Sequence, residues 1–427
     1  MKLWSKEDNL DKKVEKFTVG SDRLDDLHLA KYDVIASIAH AEMLSKCSII
    51  TKDDENKLVD ELKNILKEIQ KGNFTIEDSF EDVHSKIEYL LIKKLGDVGK
   101  KIHTGRSRND QVLVATQLFL KDEINIIKKL VKSLFDILIE KANSYKDKYL
   151  PGYTHLQVAM PSTFGLWFSA YAESLIDDII FLNTALKIND QNPLGSAAGY
   201  GSSIKIDRTY TTKKLGFETL KFNVFAAQMG RGRVEKSVAV ALSSLATTLG
   251  KFSSDICFYM TNELNFVSFP ENFTTGSSIM PHKKNPDVFE LIRAKCNQIK
   301  SVSNQFDLIS SNLTSGYHRD MQLYKGVIIN SIASIKDCLE ILSLSLEKVK
   351  VRNNILDDEK YKFINSVDMI NNLIQNENMS FRDAYLKISN SIKEGKFDNI
   401  KTNKQTLIGS IHNLCLDKIQ NKMNNFY

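Results

Sequence analysis

The sequence predicts an all-α protein, with a long central helix bundle flanked by two smaller helical domains. Three observations carry that expectation. Only six prolines occur in 427 residues, and most sit in polar loops, so little interrupts helices. Between Val234 and Leu264 the positions Val238, Leu242, Leu245, Leu249, Phe252, Ile256 and Tyr259 recur at alternating spacings of four and three, as in a heptad seam. No alternating apolar–polar run of useful length marks a strand, which leaves room only for short β-pieces near the loops.

Taken in order, residues 1–105 read as an N-terminal helical domain. Residues 106–352 carry five long helical periods, at about 110–145, 161–188, 234–264, 286–313 and 326–349. The opposite sides of the third period are small, with Ala239, Ala241, Ser243, Ser244, Ala246 and Thr247. A rod that is apolar or small nearly all round belongs inside a bundle. At about 30 residues it spans about 45 Å. Residues 353–427, with weaker periodicity and many Asn and Lys, read as a second small helical domain.

Charge excludes some functions. The 58 basic and 53 acidic residues leave a net charge of +5, spread along the chain, which makes no case for a nucleic-acid partner. The N-terminus MKLWSKEDNLDKKVEK is charged and carries no signal-type apolar run. No stretch of about 18 apolar residues is present to span a membrane, so a cytoplasmic protein is expected. The five cysteines form no CxxC pair and no Cys/His cluster, which fits buried thiols in a reducing compartment and no metal. No nicotinamide, pyridoxal or nucleophile-elbow pattern appears, so no cofactor is expected.

Polar loops join the long helices and carry the chemistry. Gly276-Ser277-Ser278-Ile279-Met280-Pro281-His282-Lys283-Lys284-Asn285-Pro286 offers hydroxyls, backbone amides, two cations and an amide side chain. Asn285-Pro286-Asp287 reads as a helix start whose N-terminus favours anions, and Glu290 follows on that helix. Without further context the segment is a polar connector; with Lys283 it is an anion-binding lid. His103 to Gln111, read HTGRSRNDQ, places Arg106 and Arg108 beside Ser107 and Asn109, suited to gripping carboxylates. Gly152 to Gln157, read GYTHLQ, sets His155 between Thr154 and Gln157 as a general acid or base. Asn192 to Ser203 is a Gly/Ser-rich, amide-rich turn, but no Walker lysine follows it. Tyr317 to Lys325 is a further polar cluster containing Gln322. Together these loops suggest acid–base chemistry on a polycarboxylate.

Gly276 to Pro286 resembles the shared GSSxMPxKxNP loop of the fumarase/aspartase superfamily. HTGRSRNDQ, GYTHLQ, PLGS at Pro193 to Ser196, and YDVIASIAHAEML at Tyr32 to Leu44 resemble its argininosuccinate lyase branch. The resemblance covers roughly residues 17–350. It implies cofactor-free β-elimination of argininosuccinate to arginine and fumarate, the last step of arginine biosynthesis. It implies Ser277 as the base, with Ser278 as the substitute, and Lys283 and Asn285 beside the developing dianion. His155 paired with Glu290 serves the leaving nitrogen or activates the site. Arg106, Ser107, Asn109, Thr154, Gln157, Tyr317, Gln322 and Lys325 become substrate binders, with Ser21 and Asp22 adding contacts. It also implies a homotetramer with a twenty-helix core and sites shared between chains, His155 and Ser277 of one site coming from different chains. Three departures are visible. The glycine-rich GGRF-type opening is missing after Leu3-Trp4, Gln228-Met229-Gly230-Arg231-Gly232-Arg233 stands where many members have Ser-Asp-Arg-Asp, and His282 replaces a frequent Gln. The alternatives are another fumarate-releasing lyase, acting on adenylosuccinate, aspartate or malate, and a catalytically inactive structural member of the fold.

Overall fold

A computed structural model describes residues 11–398 and 405–427. The departure at Leu3-Trp4 lies outside them. The chain is all-α apart from short strand pairs, as the scarcity of proline and the helical periods predict. Five long helices span Arg108–Ser144, Phe164–Asn189, Arg233–Tyr259, Asp287–Ser310 and Tyr324–Glu347. The seam residues Val238, Leu242, Leu245, Leu249, Phe252 and Ile256 are all buried. Each such side chain contributes roughly 1.5–3 kcal/mol on burial. The third helix ends at Tyr259 and not at Leu264, because the chain turns through Asn265 at φ 45° with its N–H on the Thr261 carbonyl. Among the described residues no helix is long and apolar enough to cross a membrane.

Two compact units divide the chain. The first comprises 1–127, 181–246 and 298–336, and the second 128–180, 247–297 and 337–427. In the first unit, helices Asp22–Lys46, Lys52–Gln70 and Val83–Leu95 bury Val34, Leu44, Leu58, Leu62, Val83 and Leu91 against one another. Their starts are fixed locally: Thr51 and Asp54 form a reciprocal capping box, and Asp82 accepts the Ser85 N–H.

In the second unit, Trp167 packs on Phe168 and Phe252 with ring centroids 4.7 and 5.0 Å away. Asp255 accepts from Trp167 Nε1 at 3.0 Å and from the Tyr171 hydroxyl at 2.6 Å, so the polar ends of both rings are satisfied. An antiparallel hairpin of Tyr149–Thr154 and Gln157–Thr163 also belongs here. Its sequence shows little alternation, because Pro151 faces Pro161 and a register shift follows between Pro151 and Tyr153. A small cluster of Ile370, Ala384 and Ile388 holds the helices Ser366–Glu377 and Phe381–Lys393.

Candidate active site

The loop from 276 to 286 is closed at its base by an antiparallel bridge between Thr275 and Asn285, with Asn285 N donating to the Thr275 carbonyl at 2.8 Å. The Thr275 hydroxyl donates to the Asp287 carboxylate in the first turn of the following helix. Inside the loop, Ser277 Oγ accepts from Ile279 N at 3.2 Å and Met280 N at 3.0 Å. Two amides aimed at one hydroxyl oxygen favour negative charge on it, which addresses the high intrinsic pKa of a serine. The two lysines differ in their surroundings. Lys284 pairs with Glu271 at 3.1 Å, whereas Lys283 has no ion-pair partner among the described residues. Ser278, Lys283 and Glu290 are exposed, and Asn285 is half-buried.

His155 sits at the tip of the hairpin. Thr154 pairs with Gln157, so His155 and Leu156 alone form the turn, at φ 52° and 59°. A two-residue hairpin of type I′ takes positive φ at both positions, usually met by Asn-Gly. Neither His nor Leu adopts it without cost, and strain of this kind collects at functional sites. Thr154, His155 and Gln157 are exposed. The hairpin and the Ser277 loop both belong to the second unit. Among the described residues no hydrogen bond or ion pair joins His155 to Ser277 or to Glu290.

The first unit holds a cavity of about 270 Å³ lined by both signs of charge. Lys325 is buried there, its ammonium 2.5 Å from both Asp22 and Asp26. Burial opposes its charge, but Asp26 and Asp22 outweigh burial and raise its pKa. Arg108 lies 2.9 Å from Glu81 and 3.2 Å from Asp82, and Arg319 reaches Glu81 at 2.9 Å. Gln322 Nε2 donates to the carbonyls of Thr18 and Val19 at 3.1 and 2.9 Å. Asn109 and Tyr317 complete the wall.

The HTGRSRNDQ segment divides its labour. Arg108 and Asn109 line the cavity. Arg106 is turned inward, donating to Ser37 Oγ at 2.9 Å, and burial lowers its pKa. Ser107 caps the helix start, its Oγ accepting from Asn109 N at 3.3 Å. Asp110 accepts from Ser107 N at 2.8 Å, and from Gly195 N and Ala197 N at 2.9 Å each. The amide-rich turn after Asn192 therefore anchors this carboxylate. Sequence reasoning weighed both arginines and carried Arg106 alone into the substrate-binding set, and it gave no role to Arg319, Asp26, Glu81, Asp82 and His84, which line the same cavity as Arg108. The run Glu81-Asp82-Val83-His84-Ser85 does carry a legible helix-cap signal at Asp82.

His84 contacts Asp33 through Nδ1 at 2.9 Å, with both side chains buried. Burial opposes protonation, but Asp33 outweighs it and raises the imidazole above its ordinary pKa of 6.5. A raised value means stability that is fully present below the unfolded pKa and lost as pH rises through the folded one. His84→Asn is therefore expected to melt below wild type at pH 5.5, with the gap narrowing toward pH 8.5 (a window spanning about 1 to 2 units either side of the ordinary value). A melting-temperature gap that stays constant across that range would mean the pair carries no charge.

Comparison with known proteins gives concordant findings. A family model described as "Lyase" matches residues 5–300. The chain is 51% identical over 422 residues to an argininosuccinate lyase of Phocaeicola vulgatus, covering 99% of this chain and 94% of the relative. It is 40% identical to one of Thermotoga neapolitana, covering 91% and 97%. In fold it is similar to a fumarate lyase:delta crystallin from Brucella melitensis bound to cobalt, with TM-score 0.76, 17% identity and 97% and 93% coverage. A recombinant class II fumarase from Schistosoma mansoni gives TM-score 0.76 at 16% identity, covering 90% and 89%.

Proposed function

From the premise that this chain belongs to the argininosuccinate lyase family, we infer that it cleaves argininosuccinate into L-arginine and fumarate, the step that completes arginine synthesis. The observation that carries the chemistry is the Ser277 oxygen held by two backbone amides at the mouth of a cation-bearing loop. The reaction removes a proton from the succinyl carbon next to a carboxylate and expels the guanidino nitrogen. That carbon acid is very weak, and its transition state gathers two negative charges on one carboxylate. Ser277 takes the proton. Lys283, Asn285 and the loop amides face the dianion, as preorganised donors do in an oxyanion hole. His155, supported by Glu290, serves the leaving nitrogen, and Thr154 and Gln157 flank it. Asn109, Tyr317, Gln322 and Lys325 bind substrate. Arg108 serves with them, and Arg106 and Ser107 hold the loop that presents Asn109.

The assembly is a cytoplasmic homotetramer whose sites draw segments from several chains. Residues 1–105, 106–352 and 353–427 act as its N-terminal, central and C-terminal parts. The direct test adds argininosuccinate to purified protein and follows fumarate absorbance, with adenylosuccinate, aspartate and malate in parallel. Fumarate from a rival substrate but none from argininosuccinate would replace this reading, and none from any would indicate an inactive relative.

Lys283→Met is expected to lower kcat about 10²-fold or more, as loss of an oxyanion donor does. Lys284→Met, whose ammonium is already held by Glu271, should cost far less. Steady-state kinetics of the two variants decide. Equal losses would mean that Lys283 does not face the dianion.

A further inference from the structure

A second cavity of the first unit, of about 130 Å³, shares no residue with the one that holds Lys325. It lies against Met229, Gly230 and Arg233, within the segment that departs from the family pattern. Its apolar wall is Ile188, Pro193, Ala226, Ala227, Met229 and Val234. Gln117 and Gln191 lie among them, and the protein itself uses their amide donors. Gln117 Nε2 donates to the carbonyls of Asn189 and Gln191 at 2.8 and 3.2 Å, and Gln191 Nε2 donates to the Ile188 carbonyl at 3.0 Å.

Lys221 and Arg233 also line this cavity, and no carboxylate does. Lys221 Nζ donates to a neutral acceptor, Gln191 Oε1, at 3.3 Å. The Arg233 guanidinium has no hydrogen bond or ion pair among the described residues. The acids nearest in sequence do not neutralise the pair. Asp190 is held by Lys121 at 2.8 Å. Glu235 lies 3.3 Å from Arg231 and accepts Gly232 N at 2.7 Å, and Glu218 is not on the wall. Two cations without an anion, at the edge of an apolar hollow, suit a carboxylate carried on an apolar body. The volume sets the size of that body, since an apolar cavity of about 150 Å³ takes up benzene.

We propose that this second cavity is a binding site for a small monocarboxylate with an apolar body of about six carbons, the carboxylate being received by Arg233 and Lys221. Neither residue has a part in the reaction described above, so the site stands whether or not the lyase reading does.

The test uses benzoate, with benzamide as its neutral counterpart and inorganic phosphate as an anion without the apolar body. Binding to the assembled protein is measured by calorimetry, independently of turnover. Wild type should bind benzoate about fivefold or more tightly than either, near the upper end for an ion pair that keeps contact with water. Arg233→Gln should remove most of that preference by weakening benzoate alone, and adding Lys221→Gln should bring the benzoate-to-benzamide ratio near one. Ala226→Phe, which places a ring in the hollow, should weaken benzoate and benzamide alike, and it carries the test if the glutamine variants do not fold. Saturating L-arginine and fumarate together should leave benzoate affinity unchanged. The inference is overturned by a wild type that does not bind benzoate, or that binds benzamide or phosphate equally well. It is overturned equally by folded variants that keep the wild-type affinities. Displacement of benzoate by fumarate or arginine also overturns it, since the ligand would then occupy the other cavity.

Discussion

Ser277→Ala is expected to lower kcat by at least about a hundredfold, some 2.7 kcal/mol of transition-state stabilisation, while substrate affinity stays within a few-fold. The loop supports this split. Ser277 accepts two amide N–H groups at 3.2 and 3.0 Å, and those donors belong to the backbone, so they survive the substitution. What is lost is the oxygen that takes the proton, a role needed only as the C–H bond breaks. Single-turnover fumarate release with a separate binding titration measures both quantities. Near-normal kcat in Ser277→Ala, beside an inactive Ser278→Ala, would move the base to Ser278. A loss of affinity matching the loss of rate would instead mark Ser277 as a binding group.

Mixing two inactive variants, Asn109→Ala and His155→Ala, should restore activity once the assembled protein is dissociated and reassembled. The reason is the helix between the two residues. Arg108–Ser144 has 37 residues and rises about 55 Å. The eleven residues from Tyr145 to His155, which include that strand, reach at most about 40 Å when fully extended, about 15 Å short of the helix rise. We therefore expect Asn109 and His155 of one site to come from different chains. In that case about a quarter of sites in a random equal mixture receive both native residues. Fumarate release from reassembled mixtures reads this out, with native mass spectrometry to verify hybrids. Hybrids without activity would show that the site does not combine the two segments. The pair His155 and Ser277 gives a weaker test, because both fall in the second unit.

The candidate site was legible to different depths. Ser277, Lys283 and Asn285 were visible because a loop between two helices concentrated hydroxyls, amides and cations in eleven consecutive residues, 276–286. The resemblance chose Lys283 over Lys284, but that Glu271 holds Lys284 could not be read from the loop itself. Arg106 and Arg108 are two residues apart on a chain entering a helix, and such neighbours point to different sides. Which side meets Ser37 and which meets Glu81 depends on helices distant in sequence. Asp26, Glu81 and His84 gave no local signal of function for the same reason: their partners Lys325, Arg319 and Asp33 lie far along the chain.

By itself the sequence determined the elements. Helix periodicity is written at spacings of three and four, within reach of one turn, so the five long helices and their buried seam follow from local pattern. The chemistry of the loops is likewise carried by consecutive residues. Only the tertiary structure decided how those side chains are spent. It turned Arg106 into a buried strut, gave Asp110 to the amides of Gly195 and Ala197, and set His155 on a strained two-residue turn. The physical reason is that a side chain's role depends on which donors, acceptors and charges surround it after burial. Those surroundings are assembled by packing across long sequence separations, where no local pattern reports them.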